Sequence, residues 1–284
     1  MAWALEMLVF IIMSLSARTH AMAELHAVCL TGLERSFAEI GGNVREGVLN
    51  LYKGRGSVAV FGVKPPDSAW LTIRNLLPLA ALEDQRPCWS GAAQNDTIKW
   101  MHCDFRLRTG DCRLSFLQAL CDMQKCDELI TMYEQRHGRL FSSIARLRAD
   151  LFWEAGVRLP LPLLPNTVYV PAMDTHSGVN DHLAVGERAA MRTYLTRVRH
   201  IYRAGIASSL KGAGSEQFLA AALRWDGIRT IQMQRWMYCP HTPRNLLRDS
   251  ARSGCIGRVR CRIGCRSLWC PPVSIKADSV SLSS

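Results

Sequence analysis

The sequence predicts an α/β domain built around a mostly parallel sheet. Apolar runs of strand length alternate with segments of helical periodicity, and the first three of these segments form a β-α-β unit. The chain has 284 residues, of which 48% are hydrophobic, so it can bury a substantial core. It contains no internal repeat or long low-complexity stretch, which disfavours a solenoid. We assign residues 24–240 to this domain, residues 1–23 to a targeting segment and residues 241–284 to a basic, cysteine-rich tail.

The β-α-β unit opens the domain. His26–Leu30 is an apolar run typical of a buried strand, Ser36–Tyr52 has helical periodicity, and Ser57–Val63 is a second apolar run. A helix between two strands implies that the strands pair in parallel. Thr31 and Gly32 follow the first strand at its carboxyl end, where ligands bind in open α/β sheets, so their backbone is expected to approach a nucleotide closely.

The loop after this strand also contains Arg35. We interpret Arg35 either as a contact to a nucleotide phosphate or as a solvated loop charge. The loop lacks the GxGxxG pattern, so dinucleotide binding is not predicted.

The middle of the chain contains few candidate functional residues. Ser68–Leu77 predicts a short helix, and Pro87–Arg113 is an irregular, cysteine-bearing stretch that we interpret as a surface insertion. Ser115–His137 has apolar residues at helical spacing and predicts a helix that faces the core.

The next strand carries a concentration of charge. Leu140–Leu147 is an apolar run, and Arg146, Arg148 and Asp150 lie at or just beyond its carboxyl end. Guanidinium groups pair with two phosphate oxygens, and a carboxylate can hold a divalent cation, Mn²⁺ or Mg²⁺, that bridges those oxygens. The pattern therefore predicts a diphosphate site with Asp150 as a metal ligand. The alternative is a structural Arg-Asp ion pair at the strand end.

Two further segments supply candidate catalytic carboxylates. Thr167–Val170 predicts a strand, and the polar loop that follows it ends in Asn180 and Asp181, which we expect at a sugar. A transfer to an acceptor hydroxyl needs a carboxylate that deprotonates that hydroxyl, and Asp181 and Glu216 are the candidates. Asp181 could instead bind hydroxyls of the donor sugar, and Glu216 could instead cap the helix that begins near Ser215.

The last predicted elements are two helices and a strand. Gly186–Tyr202 has a core stripe of Met191, Leu195 and Val198, and Glu216–Leu223 and Ile228–Met233 predict a short helix and a final strand. We interpret the basic residues of the longer helix as a solvated face. These residues are Arg188, Arg192, Arg197 and Arg199.

Four blocks resemble a plant and algal family of uncharacterised glycosyltransferase-like proteins. They read AVCLTGLERSFAEIGGN, HGRLFSSIARLRADLFW, NTVYVPAMDTHSGVNDHLAVG and GSEQFL, and the resemblance runs from about His26 to Trp236. Two positions depart from the family pattern, since Ser177-Gly178 stands for a glycine pair and His182-Leu183 for Arg-Phe.

The resemblance implies a GT-A-like three-layer sandwich that transfers a sugar from a nucleotide-diphosphate donor to a glycan or glycoprotein acceptor. The implied catalytic residues are Asp181 and Glu216, and Asp150 is the implied ligand of a divalent metal. The implied donor-binding residues are Thr31, Gly32, Arg35, Arg146, Arg148 and Asn180. The departures at Ser177 and His182 favour the alternative, a non-catalytic carbohydrate-binding protein with a transferase fold.

The N-terminus and the cysteines indicate the secretory pathway. Trp3–Leu15 is mostly apolar but shorter than a bilayer span, which predicts a cleaved signal peptide or a short signal anchor. Either places the domain in the Golgi or ER lumen or outside the cell, with membrane contact only through an uncleaved N-terminal segment. An odd total of 11 cysteines leaves one unpaired within the chain, and Cys29, inside an apolar strand, is our candidate for that thiol.

The tail is strongly basic. From Arg244 onward it carries seven Arg and one Lys against two Asp, within a chain whose net charge is +11. Its cysteines lack a CxxC pair, which disfavours zinc, and no aromatic interleaving accompanies the basic residues. We therefore expect no nucleic-acid partner.

Overall fold

A seven-stranded sheet forms the centre of the computed structural model. The structure describes residues 24–32, 37–64, 77, 79–86, 112–149, 151–153, 158–159, 162–173, 175–201, 203, 214–234 and 238–240. Its elements, in chain order, are β1 (Leu25–Thr31), α1 (Phe37–Leu51), β2 (Ser57–Lys64), β3 (Leu79–Asp84), α2 (Cys112–His137), β4 (Ser143–Arg148), β5 (Leu151–Trp153), β6 (Thr167–Pro171), β7 (Leu183–Glu187), α3 (Arg188–Leu195), a 3₁₀ helix (Arg197–His200), α4 (Ser215–Trp225), β8 (Arg229–Met233) and β9 (Tyr238–Pro240).

The strand order is β3-β2-β1-β4-β7-β6-β8. The strands run in one direction except β7, which is antiparallel to both of its neighbours, β4 and β6. Strands β5 and β9 form a separate antiparallel pair. The predicted α/β fold with a mostly parallel central sheet is confirmed.

Helices cover both faces of the sheet. Alternating strand residues point to opposite faces, so Val28 and Leu30 of β1 pack towards α1 while Ala27 and Cys29 pack towards α2. Helices α3 and α4 lie on the same face as α2 and share its apolar cluster. The result is a three-layer α/β sandwich with two cores, one on each side of the sheet.

One predicted helix is partly a strand. We predicted a helix from Gly186 to Tyr202, but the structure has β7 up to Glu187, then α3, then the 3₁₀ helix. The predicted core stripe of this segment is correct, because Met191, Leu195 and Val198 are buried. Strand β7 has only five residues, a length at which periodicity does not separate a strand from the start of a helix.

The prediction of a solvated basic face is wrong for Arg188 and Arg197. The side chain of Arg188 is 15% exposed and binds two nearly buried carboxylates of α2, with Nη1 at 2.6 Å from Asp127 and Nε at 2.9 Å from Glu134. Burial raises the pKa of Asp127, although Arg188 and Arg192 act against it. Arg197 is 2% exposed. Arg192 and Arg199 do face solvent, with side chains 66% and 49% exposed.

The prediction that Cys29 is the unpaired thiol is also wrong. Cys29 in β1 is disulfide-bonded to Cys126 in α2, with Cα atoms 6.0 Å apart, and both residues are fully buried. Cys121 is disulfide-bonded as well. The bond between Cys29 and Cys126 joins the sheet to the helix that covers it, and it closes a loop with a sequence separation of 97.

Several predictions fall on residues that the structure does not describe. These are the targeting segment, the basic tail, almost all of the predicted helix Ser68–Leu77, and almost all of the insertion Pro87–Arg113. Among the helices that are described, none is both long enough and apolar enough to cross a membrane.

Candidate active site

Residues from three strands meet at one edge of the sheet. Thr31 ends β1 and pairs in register with Arg148, which ends β4. Because β7 is antiparallel to β4, the amino end of β7 lies at the same edge, and Asn180 and Asp181 immediately precede it. The expected convergence of these residues is therefore present. Gly32 follows Thr31 with φ of 107°, a left-handed conformation that favours glycine.

Arg146 is the buried charge at the centre of this edge. It is 3% exposed, its Nε donates a hydrogen bond to Thr31 Oγ1 at 3.3 Å, and its Nη1 donates to the backbone carbonyl of Asp181. Burial lowers the pKa of Arg146, and the neighbouring Arg197 and Arg148 lower it further. Arg146 thus connects β1 to the loop that enters β7.

Arg197 is a second buried cation, which the sequence analysis did not place at the site. Its guanidinium lies 4.4 Å from the centroid of the Tyr194 ring, and its Nη1 donates to the Tyr194 carbonyl at 2.8 Å. Tyr194 in turn donates from its hydroxyl to the Asp181 carbonyl at 3.3 Å. The Nε of Arg197 is buried and has no hydrogen-bond partner among the described residues. Among the described residues, no carboxylate forms an ion pair with Arg146 or Arg197.

Asn180 stabilises the loop between β6 and β7 through two hydrogen bonds. It is fully buried, its Nδ2 donates to the Met173 carbonyl at 2.7 Å, and its Oδ1 accepts from the His182 amide at 2.9 Å. These two bonds join the end of β6 to the start of β7. They hold Asp181 between two anchored residues.

Asp181 stays ionised. Its side chain is 20% exposed, and its Oδ1 lies 3.5 Å from His182 Nε2. Burial alone would raise the pKa of Asp181, but His182 and the arginines at positions 146, 148 and 197 together hold it below its ordinary value. The same cations that surround Asp181 would therefore surround an anionic ligand.

Glu216 has the opposite electrostatic environment. It lies in the first turn of α4, half-buried, and accepts a hydrogen bond from Ser215 Oγ at 3.0 Å. Burial raises the pKa of Glu216, and the negative charge of Asp181 raises it further. The bond that caps the helix comes from Gln217, whose Oε1 accepts from the Gly214 amide. The Glu216 carboxylate also accepts from its own backbone amide, so Glu216 shares in the capping of α4. The two carboxylates have pKa values pushed in opposite directions, as in an acid-base site.

The loop before Asn180 packs tightly against the start of α4. The Val179 amide donates to the Glu216 carbonyl at 3.0 Å, and a Cβ on Gly178 would lie 2.2 Å from the carbonyl carbon of Glu216. Only glycine fits at that position. Ser177, where the resemblance implies another glycine, has φ of 64° in the left-handed region. This junction fixes Glu216 relative to Asp181.

A buried carboxylate on α2 makes a pH-dependent contribution to stability. Asp122 is 4% exposed and accepts from Gln118 Nε2 at 2.9 Å and Gln85 Nε2 at 2.5 Å. Burial raises the pKa of Asp122 to about 6, against the lowering effect of these bonds and of Arg146.

We expect the free energy of unfolding of Asp122→Asn, relative to that of the wild type, to rise by about 2 kcal/mol between pH 4 and pH 8. The comparison across pH is needed because both oxygens of Asp122 accept hydrogen bonds, and the Nδ2 of asparagine cannot replace one of them. Because the folded-state pKa of Asp122 lies above that of the unfolded chain, the contribution of Asp122 to stability is greatest at low pH and is lost as pH rises through about 6. Urea denaturation of both proteins between pH 4 and pH 8 measures the difference. A gap that stays constant over this range would contradict the assignment.

The predicted metal site falls partly on residues that the structure does not describe. Asp150, the predicted ligand, and Arg35 lie outside the described residues. Within them, no group of three or more His, Cys, Asp or Glu residues could hold a metal ion. Mn²⁺ and Mg²⁺ require several oxygen ligands, whereas Asp181 is surrounded by cations. We derive no chemical step through a metal.

A search of curated proteins gives no match to this chain. A family model described as a domain of unknown function, DUF7796, matches residues 110–255, just over half of the chain. The matched region includes the core of the site, from Arg146 and Asp181 to Arg197 and Glu216, while Thr31 and Gly32 precede it. The chain therefore belongs to the DUF7796 family.

Proposed function

We propose that this protein is a glycosyltransferase-like protein that binds a nucleotide-diphosphate sugar at the carboxyl edge of its sheet. It would transfer the sugar to a glycan or protein acceptor in the secretory pathway. The observation that carries the proposal is the pair of buried guanidinium groups, Arg146 and Arg197, without an ion-paired carboxylate among the described residues. Buried charge is costly unless it is compensated, so an anionic ligand is the expected partner.

A diphosphate suits this edge better than a single carboxylate. Arg146, Arg148 and Arg197 all lower the pKa of Asp181, so the positive charge of three guanidinium groups acts on one small region. Arg148 is the least buried of the three, at the end of β4 beside Gly32, and is placed to meet the phosphate oxygens. The two buried arginines would add their field in a region of low dielectric.

Glu216 is the proposed general base. Its carboxylate takes the proton of the acceptor hydroxyl as that oxygen forms a bond to the anomeric carbon of the donor. The bond between the anomeric carbon and the phosphate oxygen breaks, and its electron pair stays on the diphosphate. Arg148, with the field of Arg146 and Arg197, stabilises the charge that develops there. Asp181, kept ionised, remains available for hydroxyls of the donor sugar.

The disulfide between Cys29 and Cys126 supports the proposed compartment. Disulfides persist in the secretory pathway and outside the cell, and they are rare in the cytosol. The predicted targeting segment at residues 1–23 points the same way.

A thermal-shift series tests the donor site. UDP, GDP, ADP and CDP are added, with and without Mn²⁺, to the wild-type full chain and to two variants. The first variant is Arg148→Gln. The second is the control Arg45→Gln, which changes an exposed residue of α1, on the face of the sheet opposite to α2, α3 and α4. We expect one nucleotide at about 100-fold excess over its Kd to stabilise the wild type and the control by about 2.7 kcal/mol, and to stabilise Arg148→Gln much less.

Three outcomes are decisive. Stabilisation by no nucleotide, or equal stabilisation of Arg148→Gln, would overturn the donor site. Nucleotide binding combined with hydrolysis of the matching nucleotide sugar supports the transferase. Nucleotide-sugar binding without turnover toward any glycan acceptor assigns the chain to the non-catalytic alternative.

A further inference from the structure

A groove with a volume of about 540 Å³ is lined by residues of α4, of β8 and of the turn between them. Val179 of the site loop and Leu223 of α4 line it as well, and both belong to the core cluster. The lining is largely aliphatic, with Ala220 and Leu223 from the helix and Ile228 and Ile231 from the strand segment. Such a surface can receive apolar side chains.

Strand β8 is an edge of the sheet. Among the described residues it pairs only with β6, and its residues are exposed or half-buried. The Arg229 amide donates to the Asn166 carbonyl and the Met233 carbonyl accepts from the Ala172 amide, so these alternate residues direct their backbone groups towards β6. By the same alternation, Thr230 and Gln232 direct their amides and carbonyls outward, where another extended chain could pair with them.

The positive charge of the groove favours an acidic ligand. Among the described residues that line it, Arg224 and Arg229 are ionisable and none is a carboxylate. The nearest carboxylate in sequence, Asp226, is already engaged by Arg199 Nη2 at 2.5 Å and by His200 Nε2 at 2.8 Å. The basic tail of the chain would be repelled by these arginines, which disfavours it as the occupant.

We propose that this groove binds an acidic peptide segment in extended conformation, which adds to β8 as a further strand. The main chain of the peptide pairs with Thr230 and Gln232, and its apolar side chains enter the groove. Its carboxylates pair with Arg224 and Arg229. This binding does not depend on the proposed transfer chemistry.

Fluorescence anisotropy with a labelled peptide of repeating Val-Val-Glu-Glu, about eight residues long, tests the proposal on the full chain, because this repeat places both Val and Glu on each face of the extended peptide. We expect binding that weakens at least about tenfold in Arg224→Glu/Arg229→Glu and remains unchanged in the control Arg45→Glu. A peptide with Lys in place of Glu should not bind. The Val-Val-Glu-Glu peptide that is N-methylated at alternate residues should bind at least about tenfold more weakly, because it cannot pair with the strand edge.

Equal binding to the double variant would overturn the proposal, since the peptide would then be held by other basic residues. Undiminished binding of the N-methylated peptide would overturn strand addition. A concentration-dependent dimer that Thr230→Pro abolishes would also overturn it, because the edge would then belong to a second copy of the chain. Circular dichroism of each variant verifies that the fold is retained.

Discussion

Replacing Arg188 by methionine is expected to lower the free energy of unfolding by about 3–5 kcal/mol. Arg188 donates through Nε and Nη1 to Glu134 and Asp127, and through Nη2 to Thr131 Oγ1 at 2.8 Å. Methionine would leave two carboxylates, with side chains 6% and 5% exposed, close to each other, and the exposed Arg192 would be the remaining described cation beside Asp127. The substitution would also remove the ion pairs that join α2 to the start of α3. Urea denaturation at pH 7 measures the effect.

Arg192 offers a matched control on the same carboxylate. Its Nε lies 3.8 Å from Asp127, but its side chain is 66% exposed. Water screens an exposed ion pair, so Arg192→Met should cost less than about 1 kcal/mol. Equal losses in the two variants would show that burial of the Arg188 cluster does not determine its contribution. In Arg188→Met/Asp127→Asn/Glu134→Gln, which removes all three charges, part of the loss should be recovered.

Replacing Glu216 by glutamine is expected to reduce sugar transfer by about 10²–10⁴-fold, under the proposed function. The amide has nearly the same shape as the carboxylate but cannot accept the proton of the acceptor hydroxyl. Binding of the nucleotide should be unchanged, because the groups proposed to bind the diphosphate lie on β4 and the 3₁₀ helix. The rate is measured with the nucleotide sugar that corresponds to the most stabilising nucleotide, and binding is measured by thermal shift.

The pH profile separates a base from a structural carboxylate. A general base acts only when ionised, so wild-type activity should fall as pH falls through the pKa of Glu216. Because burial and Asp181 raise that pKa, the fall should begin above the pH at which an ordinary glutamate is protonated. Glu216→Gln should lose this acidic limb, whereas the control Glu128→Gln, at an exposed position of α2, should keep it. Full activity in Glu216→Gln would contradict the assignment of Glu216 as the general base, and Asp181 would then be the candidate.

Much of the candidate site could be predicted from the chain because strand ends are visible in the sequence. The apolar runs that became β1 and β4 are followed directly by Thr31 and Arg148, and the carboxyl ends of parallel strands share an edge. Arg197 could not be found in this way. Its sequence neighbours suggest an exposed basic helix, but in the fold its guanidinium packs against the Tyr194 ring, and the Tyr194 hydroxyl donates to the Asp181 carbonyl.

The hydrogen bonds made in the fold also decide which predicted side chains can contact a ligand. Asn180 was predicted to contact a sugar, but in the fold its amide is engaged by Met173 and His182. Glu216 was a candidate both for a cap and for a base, and in the fold Gln217 and Glu216 both accept from backbone amides at the start of α4. Hydrogen-bond partners of this kind depend on a few ångströms of loop geometry, which residue spacing does not specify.

The sequence alone determined the α/β class, most strands and helices, and the edge at which Arg146, Arg148 and Asp181 meet. These follow from local periodicity and from the rule that a helix between two strands makes them parallel. Only the tertiary structure decided that Cys29 bonds to Cys126, that Arg188 binds Asp127 and Glu134, and that β7 enters the sheet antiparallel. These features join segments far apart in the chain, and they form because packing the helices on the sheet brings those segments together, which no local pattern records.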